Sequence, residues 1–123
     1  MTTQEVANRY YELIKMHQYK QIQNELYLPD AVSIEPENNS NLPLVVTGIE
    51  DLRKKEDLFF SQVESLHEGY MSEPVVSAFF FSMMTGMDVT MKGKNRKNKE
   101  QICVFEVRNG KIVKEQFFYD DLA

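Results

Sequence analysis

Glu100 to Asp121 reads EQICVFEVRNGKIVKEQFFYDD, two runs of β-formers joined by Arg108-Asn109-Gly110-Lys111. An Asn-Gly pair between alternating runs is a strong hairpin signal, because both central turn residues must accept a positive φ. Strand alternation sorts the side chains onto two faces. Cys103, Phe105 and Val107 share one face of the first strand, and Val113, Glu115, Phe117 and Tyr119 share one face of the second. A glutamate among aliphatic and aromatic neighbours marks that face as a pocket wall rather than plain core.

Working back from this hairpin, Phe79–Met91 reads as a long strand. Phe79, Phe81, Met83, Thr85, Met87, Val89 and Met91 lie on one face, and Phe80, Ser82, Met84, Gly86, Asp88 and Thr90 on the other. Both faces are partly apolar, so both are expected to be covered, one of them by a second subunit. A further strand is predicted over roughly residues 68–77. Before it, Ile49, Leu52, Glu56, Phe59, Val63 and Leu66 recur at spacings of three and four, which predicts one main helix from Gly48 to about Leu66. Glu56 is the odd member of that stripe, either snorkelling off it or lining a cavity.

The N-terminal part is helical by the same criterion. Val6, Tyr10, Leu13, Ile14 and His17 predict a helix over residues 4–17, and Ile22 and Leu26 a short one over Tyr19–Tyr27. Pro29-Asp30 is expected to end the second helix, since the residue before proline avoids the helical region. Ala31–Glu35 is a short strand closed by Pro36, followed by the loop Glu37-Asn38-Asn39-Ser40-Asn41. Helices first and strands after predict an α+β design, with the helices packed on a curved antiparallel sheet and the main helix across its concave face. The 123 residues are expected to form a single domain over 1–123.

Composition narrows the function classes. Hydrophobic residues make up 42% and charged residues 27%, the balance of a folded globular chain. A net charge of −5 argues against nonspecific binding to nucleic acid or to an anionic membrane. Cys103 is the single cysteine, so neither an intrachain disulfide nor a multi-cysteine zinc site is available. His17 and His67 lack the spacing of a helical metal motif, and no glycine loop of the phosphate-cradling kind occurs. No metal and no cofactor are therefore expected. The opening MTTQEVANRYYE has no apolar signal core, which makes a cytoplasmic setting the default expectation.

The order helix, helix, strand, helix, then antiparallel strands resembles the SnoaL-like and nuclear-transport-factor-two-like superfamily. Leu28-Pro29-Asp30-Ala31-Val32-Ser33-Ile34-Glu35-Pro36 looks like its first strand with flanking acidic residues. Gly48-Ile49-Glu50-Asp51-Leu52 looks like the start of its long helix, and Asn109-Gly110-Lys111-Ile112-Val113 like its last hairpin. At the junction of the first two helices, Met16-His17-Gln18-Tyr19 stands where many members carry glycine-aspartate. The resemblance implies a cystatin-like cone with a deep pocket, in homodimers packed through the outer sheet face.

Set beside the ketosteroid isomerases of that superfamily, Tyr10 resembles their oxyanion-binding tyrosine, and Glu35 sits where they hold an aspartate base. At the position of their oxyanion-hole aspartate this chain carries about Cys103, whose thiol is a weaker donor. That argues against ketosteroid isomerisation itself. The resemblance implies a small apolar or polycyclic ligand bearing a carbonyl or hydroxyl. In a catalytic version Glu35 removes a proton, Tyr10 stabilises the oxyanion and Glu115 relays the proton. Phe59, Met87, Val89, Cys103, Phe105, Phe117 and Tyr119 would bind the ligand. The alternative is a non-catalytic ligand-binding or dimerisation module, in which the carboxylates serve structure.

Overall fold

Thr2 prepares the first helix. In the computed structural model, which describes residues 1–121, the Thr2 hydroxyl accepts from the Glu5 N–H at 3.1 Å, and the Glu5 carboxylate accepts from the Thr2 N–H at 2.9 Å. This capping box satisfies two otherwise unpaired donors at the head of α1 (Thr3–Lys15). The last two positions of the expected domain, 122 and 123, lie outside the described residues. Two residues past the end of α1 stands His17, whose φ of +56° is left-handed and whose N–H reaches the Ile14 carbonyl at 3.0 Å. Glycine usually fills such a position after a helix; here a histidine adopts it.

α2 (Tyr19–Leu26) is followed without a break by β1 (Tyr27–Ile34). The expected second helix thus stops one residue early, and the strand starts at Tyr27 rather than at Ala31. Pro29 does not separate them. It lies in the stretch between Tyr27 and Val32 where the pairing register shifts, a place where a missing N–H costs no ladder bond. Next come β2 (Val45–Thr47), α3 (Ile49–Ser61), β3 (Val63–Met71), β4 (Val75–Val76), β5 (Phe80–Met91), β6 (Lys97–Arg108) and β7 (Lys111–Phe118).

α3 is shorter than its apolar stripe suggests. Ser61 Oγ and Gln62 Nε2 both donate to the Leu58 carbonyl, at 2.7 and 3.0 Å, and take up an orphan acceptor at the helix end. Val63 and Leu66, expected on the helix, instead pair with Met91 and Val89 across β3 and β5. His67 accordingly lies on that strand, within 2.8 Å of Thr90 Oγ1, and does not close a helix.

The strands form a curved, unclosed sheet in the order β2-β1-β7-β6-β5-β3, with β4 paired to β5. The architecture is α+β, but the sheet is mixed rather than wholly antiparallel. β1 runs parallel to β7, with Ser33 opposite Glu115 and Ile34 opposite Gln116. The hairpin turn is as the sequence predicts, with Asn109 at φ +50° and Gly110 at φ +74°. Its register is not fully regular. Lys114 faces Glu106 while Ile112 faces Val107, so Val113 is the extra residue of a bulge. Ile112 takes the buried place that simple alternation assigns to Val113.

The core lies between the helices and the inner face of β5, β6 and β7. Val6, Ala7, Leu13 and Ile14 of α1 and Ile22 and Leu26 of α2 are buried there with Phe81, Met83, Phe105, Val107 and Ile112. Phe81 and Phe105, opposite each other in register, stack with centroids 4.6 Å apart. Each fully buried side chain of this size contributes about 1.5–3 kcal/mol. Among the described residues no helix is long and apolar enough to cross a membrane.

Candidate functional site

The curvature leaves a cavity of about 290 Å³ between the inner sheet face and the helices. That is near the lower end of ligand pockets, roughly 300–1,000 Å³. Tyr10, Ile14, Ile22, Phe59, Met87 and Phe117 line it, and among its ionisable lining residues Glu35, Glu115 and Lys55 are buried and Glu56 is half-buried.

The strands hold most of these polar groups in one connected chain. Ala31, Ser33 and Glu35 alternate on the buried face at the end of β1, and Ser33 pairs in register with Glu115 of β7. Tyr27 donates its hydroxyl hydrogen bond to Glu115 Oε1, and Ser33 donates to Glu115 Oε2 at 2.6 Å. Lys55, carried by α3, donates to Ser33 Oγ and to Glu35 Oε2, the latter at 2.8 Å. Tyr119 closes the far end by donating to Glu35 Oε1 at 2.7 Å. The sequence of contacts is therefore Tyr27, Glu115, Ser33, Lys55, Glu35, Tyr119.

Burial is nearly complete at its charged members: Lys55 is 5% exposed, and Glu35 and Glu115 are each 7% exposed. Charges at such depth persist only when paired and hydrogen-bonded. Burial raises the Glu115 carboxyl above its ordinary range, while the hydrogen bonds from Ser33 and Tyr27 and the charge of Lys55 pull the other way. Burial also raises the Tyr119 hydroxyl, and the bond to Glu35 adds to it.

Tyr10 and Glu56 are held differently. The Tyr10 ring packs on Phe105 at 4.7 Å and edge-on to Phe81 at 5.7 Å, which anchors its body in the core. Its hydroxyl makes no hydrogen bond among the described residues, yet the side chain lines the cavity. Burial raises it well above the usual tyrosine range. Glu56 accepts from Gln23 Nε2 through Oε1 only, and Gln23 is fixed in turn by Arg53 Nε at 2.8 Å. Burial, reinforced by the charge of Glu115, lifts the Glu56 carboxyl to about 7.

A SnoaL-like domain model matches residues 1–119. The chain belongs to the SnoaL-like domain family. Among solved structures, it superposes on a candidate SnoaL-like polyketide cyclase from Mesorhizobium loti with a TM-score of 0.86 and 29% identity, covering 97% of this chain and 100% of that one. A candidate SnoaL-like polyketide cyclase from Jannaschia sp. CCS1 aligns with a TM-score of 0.74 and 16% identity over 96% of this chain and 85% of the other. A cystatin-like protein of unknown function from Xanthomonas campestris gives 0.79 and 15% over 98% and 92%. The last two are similar in fold alone. No curated protein matches the chain.

Of the residues that the sequence singles out, this SnoaL-like cavity gathers Tyr10, Glu35, Glu115, Phe59, Met87, Cys103, Phe117 and Tyr119. Val89 and Phe105 are not on its wall; both are 0% exposed, packed within the protein. Cys103 is a buried thiol pushed up to about 12 by its burial, which leaves it inert as a nucleophile at neutral pH. Glu56 lines the cavity, which resolves the alternative left by its place on the helix stripe. Among the described residues no group of His, Cys, Asp and Glu could hold a metal ion.

Lys55, Ser33, Tyr27 and Gln23 were not foreseen. Their signals were present but ambiguous. Lys55 follows Leu52 by one helical turn, and Ser33 sits between Ala31 and Glu35 at strand spacing. The parallel pairing of β1 with β7 sets Ser33 beside Glu115, Lys55 reaches them through Ser33, and Gln23 bonds Glu56 instead.

Proposed function

We propose that this protein binds a small, mostly apolar molecule with one carbonyl or hydroxyl end, and catalyses cofactor-independent proton transfer on it. The observation that carries this reading is the Tyr10 hydroxyl: a donor held by a core-packed ring, without a partner among the described residues, on an apolar cavity that also contains buried carboxylates. Such a donor fits an oxygen that gains negative charge during enolisation. The chain from Tyr27 to Tyr119 supplies a fixed electrostatic setting, with Lys55 balancing Glu35 and Glu115. Membership of a family whose relatives include candidate polyketide cyclases supports the same chemistry.

The test is a thermal-shift series with naphthols and tetralones. A ligand at about one hundred times its dissociation constant adds about 2.7 kcal/mol, a shift of several degrees for a domain of this size. The reading expects such a shift and a smaller one in Tyr10→Phe. No shift with any member of the series would contradict it.

The outer sheet face supports a homodimer as part of the proposal. Met84, Ile102 and Phe118 stand in one row of the register, and Phe80, Ile102 and Phe118 are each more than 40% exposed. Sedimentation at micromolar concentration should give a dimer; a monomer would refute this part.

A further inference from the structure

We propose that Glu56, rather than Glu35 or Glu115, is the carboxyl that meets the polar end of the ligand and exchanges a proton with it, while Tyr10 holds the ligand's oxygen. This rests on the ligand-binding reading above and deepens it.

The carboxylate oxygens of Glu35, Glu56 and Glu115 differ in what already holds them. Glu35 uses Oε1 for Tyr119 and Oε2 for Lys55. Glu115 uses Oε1 for Tyr27 and Oε2 for Ser33. A ligand approaching either would have to displace a bond made in a buried setting, where an orphaned partner costs about 1–3 kcal/mol. Glu56 commits only Oε1, to Gln23. Its Oε2 makes no hydrogen bond or ion pair among the described residues. Every fully buried side-chain oxygen and nitrogen among the described residues does have a partner, so this oxygen is one that the cavity exposes. The Tyr10 hydroxyl is unpartnered in the same way. Gln23, held by Arg53, fixes the carboxyl from behind and leaves the second oxygen forward.

The charged and titratable groups around Glu56 come from every packed element. α3 itself supplies Lys55 and Asp57, β7 supplies Glu115, and α1, α2 and β1 present Tyr10, Tyr19 and Tyr27. Burial and the charge of Glu115 outweigh Gln23 and Lys55, so the carboxyl titrates at about 7. Both forms are then populated near neutrality, the condition under which a carboxyl serves as base and then as acid.

The step is redox-neutral. Glu56 Oε2 takes a proton from the carbon next to the ligand carbonyl, so the C–H bond breaks and an O–H bond forms. The released pair makes the enolate, whose oxygen accepts from the Tyr10 hydroxyl. The Glu56 carboxylic acid then returns the proton to the enolate carbon. No further reactant is required.

Two probes of opposite polarity test the assignment without turnover. 2-Naphthol donates a hydrogen bond, whereas 2-acetonaphthone only accepts one. Ionised Glu56 accepts only, and neutral Glu56 donates. Between about pH 5.5 and about pH 8, 2-naphthol should therefore bind about fivefold tighter and 2-acetonaphthone about fivefold weaker. E56Q should flatten both trends, because an amide donates and accepts at any pH, and E64Q, exposed on β3 and off the cavity wall, should leave them in place. A carbon-13 titration of the wild-type glutamate carboxyls, which needs no variant, should show one midpoint near 7 that moves when 2-naphthol binds. Opposite trends that survive in E56Q, or a midpoint near 7 that persists there, would overturn the assignment while leaving the binding reading intact. Failure of both probes to bind the wild type would remove the binding reading, and this assignment with it.

Discussion

Tyr27, Glu115, Ser33, Lys55, Glu35 and Tyr119 form an unbroken polar chain in which each carboxylate oxygen is engaged. Glu56 and Tyr10, on the same cavity, each keep a polar atom without a partner among the described residues. Both sets contain ionisable residues on one cavity, and a search for buried charge alone would rank the chain first, since Glu35, Lys55 and Glu115 are the buried ones. The contrast teaches that burial and pairing mark what holds the cavity's shape, whereas the unfinished hydrogen bonds mark where a ligand fits. A fully satisfied network resists change because each bond lost strands a partner in a low-dielectric setting.

Removing the cation should break the chain most severely. Lys55→Met leaves Glu35 and Glu115 buried without a counter-charge, and a loss of about 3–5 kcal/mol is expected in urea unfolding at neutral pH. A loss of less than about 1 kcal/mol would mean that the chain is not a structural unit.

The free carboxyl should behave in the opposite sense. Its pKa is raised from 4.5 to about 7 on folding, so the folded state holds the proton more tightly than the unfolded one. The sign follows: stability is highest below the unfolded value, falls as pH rises towards 7, and is level above it. E56Q should therefore lose this slope and exceed the wild type by about 2 kcal/mol at about pH 8, a discounted figure because the group touches cavity solvent. Parallel pH–stability curves for the two proteins would place Glu56 outside the account.

A smaller effect sharpens the contrast within the tyrosines. Tyr27→Phe removes a donor to Glu115 and should cost about 1–2 kcal/mol, while Tyr10→Phe should leave stability within about 0.5 kcal/mol because its hydroxyl bonds nothing among the described residues. Equal losses by thermal and urea unfolding would erase the distinction between the two sets.

Much of this was legible in the chain itself. Asn109-Gly110 announced the hairpin, and the alternation around Glu115 placed a carboxyl among apolar neighbours. The Tyr10 stripe pointed the hydroxyl at the sheet. What was hidden depends on register between distant segments. The bulge at Val113 exchanges it for Ile112, and no local pattern encodes that choice. Val63 and Leu66 continue the helical spacing of α3 but are won by pairing with β5, where strand formation overrides periodicity. The parallel contact of β1 with β7 joins Ser33 to Glu115, and residues more than eighty positions apart leave no signal in a window of ten.

The most direct measurement is proton NMR of 2-tetralone in deuterated water with and without the protein. The account predicts that deuterium enters the carbon next to the carbonyl about 10²-fold faster with wild-type protein, and that Tyr10→Phe and Glu56→Gln each remove most of the gain. Exchange at the buffer rate in the presence of a bound ketone would contradict proton transfer as the function of this cavity.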